Sequence, residues 1–142
     1  MYQITSRGGE LTSGTSQLGS GTSQFTPGEI KEAIVTHLGG DSEEIFYQIM
    51  EKIRPLFIGQ GEQLLAQAQQ ALAAGDYDQL WSSAHTLKGM SGSLGLATFS
   101  SLSRELEVLA EARAFHAATL QVEELVLAFG QVRQALERLR PA

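Results

Sequence analysis

The stretch Ala84-His85-Thr86-Leu87-Lys88-Gly89-Met90-Ser91-Gly92-Ser93-Leu94-Gly95 holds the residues best placed for chemistry. Leu80, Ala84, Leu87 and Leu94, with Ser91 in the gap, recur at spacings of three and four, which predicts one apolar stripe on a bundle helix. At about 100° per residue, His85 points away from that stripe, toward solvent. Gly89 and Gly92 lie one and two turns below it on nearly the same line. Lys88 stands beside it at i+3, and Trp81, at i−4, falls between His85 and the core. Each glycine inside a helix costs roughly 1 kcal/mol relative to alanine, so a strip without side chains calls for a packing or access reason.

An exposed imidazole on a rigid helix is a nucleophile near neutral pH, because its unperturbed pKa is about 6.5. It could accept a phosphoryl group from a donor approaching in line. The bare strip at Gly89 and Gly92 would let another protein's active site come close, and the Lys88 ammonium could pair with the phosphoryl oxygens. A lone surface histidine is usually only solvated, and a lone lysine likewise. It is the combination that points to chemistry. His37, near the end of a short helix, and His116, in a turn, are read as incidental.

The segment from His85 to Gly95 resembles the phosphorylation motif of histidine-containing phosphotransfer (HPt) domains. The likeness rests on the histidine, Lys88-Gly89 at +3 and +4, the small residue at +6 and Gly95 at +10. Gln70 to Asp76 resembles the family's approach to the active helix, and Leu102, Leu106, Glu107 and Leu109 its next helix. The resemblance spans residues 28–140. It implies a phosphorelay in which His85 takes a phosphoryl group from a receiver-domain aspartate and passes it to another receiver. Lys88 would help hold that group, and Gly89 would keep the approach open.

The expected partners are receiver domains of response regulators or hybrid histidine kinases. The receiver brings its own magnesium ion, and no cofactor is expected on this chain. Trp81, Gly92, Phe57 and Ile58 are candidate docking residues, although core is the stronger role for Phe57, Ile58 and Trp81. Met90 stands where the family often has a small residue, which implies altered packing beside the core. Three other readings stay open: the histidine-bearing domain of a chemotaxis-type kinase, a receiver-binding adaptor, and a scaffold without phosphate chemistry.

The elements that position this segment follow from patterning. Residues 1–26 are dominated by Gly, Ser and Thr, with Gly-Thr-Ser-Gln at 14–17 and 21–24, and read as a disordered tail or linker. Residues 27–140 form the expected HPt bundle. Thr26-Pro27-Gly28-Glu29 is a helix start, with Thr26 as N-cap. Ile30, Ala33, Ile34 and Leu38 line one side of that short helix, and Asp41 or Ser42 caps the next. The second helix carries Ile45, Ile49 and Ile53 on one side, with Phe46, Met50 and Phe57 beside them. Pro55 must kink or restart it, and Gly59 and Gly61 weaken it. Asp76 caps the third helix. The fourth buries Phe99, Leu102, Leu106 and Leu109. After a turn around 111–117, the last buries Val122, Leu125, Phe129, Val132, Leu136 and Leu139. No stretch alternates at period two. The fold class is therefore all-α, an antiparallel up-down four-helix bundle with a short additional N-terminal helix.

Composition narrows the function. The chain has 142 residues, a formal charge of −6 and no cysteine. Thiolate chemistry and disulfides are excluded. The absence of a basic cluster argues against nucleic acid and against anionic membranes. No run approaches a membrane span and the first ten residues lack signal-peptide character, so a cytoplasmic monomer is expected. No Walker-type loop or Rossmann fingerprint offers an ATP site, which leaves a covalent phosphocarrier rather than a kinase.

Overall fold

The computed structural model describes residues 26–38 and 43–139. Residues 1–25 of the expected tail, the Asp41 or Ser42 cap and the Leu38 side chain lie outside the described residues, while Thr26, the last residue assigned to that tail, belongs to the start of the first helix. Five helices follow in order: α1 (Pro27–Leu38), α2 (Glu43–Ala74), α3 (Tyr77–Ser93), α4 (Ala97–Glu111) and α5 (Phe115–Arg138). No strand occurs among the described residues. The turns between α2, α3, α4 and α5 are too short for anything but antiparallel neighbours. Packing runs α2 on α3, α3 on α4, α4 on α5 and α5 on α2, which closes the four-helix bundle. The α3–α4 pair packs most extensively.

Local chemistry sets the helix ends. At the start of α1, the Glu29 amide donates to the Thr26 hydroxyl (3.3 Å) and the Thr26 hydroxyl donates to the Glu29 carboxylate (2.9 Å). The N-cap read from the sequence is therefore present, and Glu29 makes it reciprocal. α1 covers one end of the bundle: Ile30 and Ile34 are buried, and the His37 ring lies against Gly95 in the α3–α4 turn. Gly95 has φ +75°, and the space a Cβ would occupy is filled by the His37 ring and the Ala33 carbonyl. Glycine is thus required there twice over. The turn after α4 is shorter than expected, with α5 beginning at Phe115 and Arg113 at φ 54°.

Three readings of the helices change. α2 runs unbroken from Glu43 to Ala74 through Pro55. Glu51 and Pro55 are both exposed, so the carbonyl that proline leaves unbonded faces solvent. The buried row of α2 is Phe46, Met50, Arg54, Phe57, Gly61, Leu65 and Ala68, while Ile45 is exposed. Arg54 belongs to that row because its guanidinium donates to the Leu136 carbonyl (2.8 Å) and the Leu139 carbonyl, at the C-terminus of α5. In α4 the buried row is Phe99, Ser103, Leu106, Glu107 and Ala110, with Leu102 and Leu109 only partly buried. Small residues on the facing sides, Ser91 and Ala84 against Ser103 and Ala110, suit the close packing of α3 on α4. The α5 stripe is buried throughout as read.

Candidate functional site

α3 is built to hold its residues still. Gly75 (φ +69°) ends α2, with the Gly75 amide donating to the Leu72 carbonyl (3.1 Å) and the Asp76 amide to the Ala71 carbonyl (2.9 Å). The Asp76 carboxylate then accepts from the Gln79 amide at 3.1 Å and caps α3. Leu80, Ala84, Leu87 and Ser91 are fully buried on one side. His85 is thereby turned outward, with 55% of its side chain exposed. Trp81 stacks on it, ring centroids 4.7 Å apart and planes at 11°. Trp81 itself is partly buried against the core, between His85 and the interior as its position implies.

Nothing lies within 4 Å of where a Gly89 side chain would begin, so the surface one turn below His85 is open. Gly92 lies closer to α4, with the Ser100 hydroxyl 3.6 Å from the position of an added Cβ.

The sequence reading placed Glu107 on the helix after the active one but gave it no role in the site. His85 Nδ1 is 2.6 Å from Glu107 Oε2, and Lys88 Nζ is 2.9 Å from Glu107 Oε1. One buried carboxylate thus bridges the imidazole and the ammonium. Burial pushes the Glu107 carboxyl up, but the hydrogen bonds from Lys88 and His85 outweigh it and hold the group below its ordinary value. An ionised carboxylate only accepts, so His85 Nδ1 carries a proton and donates it. The neutral ring then has its lone pair on Nε2, which has no partner among the described residues. Lys88 is not a free cation beside His85 but is ion-paired, with 31% of its side chain exposed. The available signal for Glu107 was a carboxylate in register with the buried positions Phe99 and Ser103.

The docking candidates separate. Phe57 is 3% exposed and its ring stacks on Phe129 at 5.9 Å, so it belongs to the core and not to a docking surface. Ile58 is partly buried against the core. The exposed apolar residue nearby is Leu56, unread in the sequence, at the rim of a shallow groove of about 340 Å³ with Ile53, Gln60 and Met90. Met90 packs partly against the core, as its place on the helix implies. His116 is exposed in the first turn of α5. Among the described residues no group of three His, Asp or Glu side chains could hold a metal ion, and no helix is long and apolar enough to cross a membrane.

Comparison with known proteins agrees with this fold. The sequence model of the Hpt domain matches residues 52–142, more than half of the chain, beginning inside α2 and running through α3, α4 and α5. The chain belongs to the Hpt domain family. Its class of function is histidine phosphotransfer in two-component phosphorelays, and such domains carry phosphoryl groups without an ATP site of their own. No curated protein and no solved structure matches the chain.

Proposed function

We propose that His85 is the phosphoacceptor and that the chain shuttles a phosphoryl group between receiver-domain aspartates. The observation that carries this reading is the Glu107 contact on Nδ1, which leaves Nε2 without a partner among the described residues, one turn from the open position of Gly89. In the forward step the Nε2 lone pair attacks phosphorus. The N–P bond forms as the bond from phosphorus to the receiver's aspartate oxygen breaks, and that aspartate leaves as a carboxylate. The ring keeps its Nδ1 proton and becomes cationic, and the Glu107 carboxylate stabilises the new charge. No base is needed, because no proton leaves the nucleophile. Return to a second receiver reverses each step.

Glu107 is a positioning residue: it selects the tautomer and fixes the ring. Lys88 is poised by the same carboxylate, and an arriving phosphoryl group competes for its ammonium. Gly89 keeps the approach clear. Ile58, Trp81, Gly92 and the newly found Leu56 supply docking surface around the site. Magnesium belongs to the receiver; this chain needs no cofactor of its own and works as a cytoplasmic monomer. Residues 1–25 serve as a tail or linker.

The test is label transfer from a panel of phosphorylated receivers to wild type and to His85→Gln, read as acid-labile phosphate. Label on wild type alone is expected. Label on both would move the acceptor elsewhere, and label on neither, with the bundle folded, would favour an adaptor. Lys88→Ala should slow transfer without abolishing it; equal rates would remove Lys88 from the mechanism.

A further inference from the structure

Beside the site, between the end of α3 and the start of α4, lies a second groove of about 330 Å³. His37, Lys88, Gly92, Ser100, Ser101 and Arg104 line it, and no carboxylate does. That is unusual on a chain with a formal charge of −6. Lys88 is committed to Glu107, whereas Arg104 is exposed and has no ion-pair partner among the described residues. The Ser100 hydroxyl donates to the Lys88 carbonyl at 3.2 Å and braces the groove floor.

The opposite end of the α3–α4 face has the other sign. There a cavity of about 430 Å³ beside Trp81 is lined by Asp78 and Glu111. Its one cation, Arg113, is held over the Tyr77 ring at 5.4 Å. His85 therefore sits between an acidic end and a cationic end of one surface.

An aspartyl-phosphate donor is anionic at the point of contact, and an acidic carrier repels it unless charge is arranged locally. We infer that Arg104 is a partner-selecting residue: it receives an acidic segment of the receiver flanking the phosphorylated aspartate, and so fixes which way round the receiver docks. This rests on the transfer reading above. Arg104 touches neither reacting atom, so it acts on encounter and orientation and not on the phosphoryl step.

The test is the rate of transfer from a phosphorylated receiver over a range of receiver concentrations, at low and moderate salt. Wild type, Arg104→Glu and Arg104→Lys are compared. Arg104→Glu should raise the half-saturating concentration about tenfold, leave the maximal rate within about twofold and flatten the salt dependence. Arg104→Lys should stay near wild type. A half-saturating concentration unchanged in Arg104→Glu would overturn the inference, as would a fall in maximal rate alone. If wild type takes label from phosphoramidate but from no receiver, the transfer reading itself fails and this inference falls with it. If wild type is labelled by a receiver and Arg104→Glu matches it throughout, only the inference fails.

Discussion

Gly61 in α2 and Gly89 in α3 are the same residue inside two helices, used for opposite ends. At Gly61 an added Cβ would collide with the Phe129 ring. That ring cannot easily retreat, since it stacks on Phe57 at 5.9 Å and meets Phe99 at 6.1 Å. Glycine there lets α5 press its aromatic residue against α2, and what looks in sequence like a weak point is a packing device. At Gly89 an added Cβ would meet nothing within 4 Å. Among the described residues nothing asks for glycine at that place, which fits the proposed open approach to His85. A helix glycine with a filled neighbourhood reports on the fold; Gly59 and Gly130 are as open as Gly89, and what sets Gly89 apart is its place one turn from His85.

Substitutions can break this contrast. The largest effect should come from Gly89→Leu, which places a branched side chain in the path of the donor. Receiver-dependent transfer should fall on the order of a hundredfold, with unfolding midpoints no lower than wild type. Unimpeded transfer would mean the strip is not the approach. Next comes Gly61→Ala, which should cost about 1–3 kcal/mol in urea unfolding because the Phe129 ring must shift. Unchanged stability would show that the aromatic cluster yields.

Gly89→Ala and the open, exposed Gly130→Ala should each gain up to about 1 kcal/mol from helix propensity. Only the first should slow transfer. The smallest effect concerns acid. Glu107 is held below its ordinary value of 4.5 in the folded chain, so its ionised form adds stability above that pH, and the gain is lost as pH falls below it. Glu107→Gln should therefore lose less stability than wild type between about pH 5 and 3 when unfolding is followed by circular dichroism; parallel curves would place the carboxylate outside the linkage.

What the sequence made legible was local. The caps at Thr26 and Asp76 and the stripes of α3 and α5 are written within a few residues of where they act. His85, Lys88 and Gly89 were legible because one helix carries all three at fixed angles. Glu107 was not, because it reaches the site from the neighbouring helix, and only the packing of α3 on α4 brings its carboxylate to both His85 and Lys88. Arg54 was hidden for a similar reason: a cation within an apolar row looks misplaced until the carbonyls of Leu136 and Leu139 arrive from α5. The rotation of α2, with Ile45 outside and Phe46 inside, turned on neighbours that two adjoining apolar rows could not rank.

Trp81 is the chain's single tryptophan, and its indole lies flat against His85. In the proposed transfer, the ring it faces gains a positive charge and a bulky anionic group each time the carrier is loaded. Indole emission responds to charge held against its face, so the intrinsic fluorescence of the unlabelled protein becomes an optical gauge of occupancy. Loading and unloading can then be followed in real time by one native fluorophore, with no other tryptophan in the chain to dilute the signal.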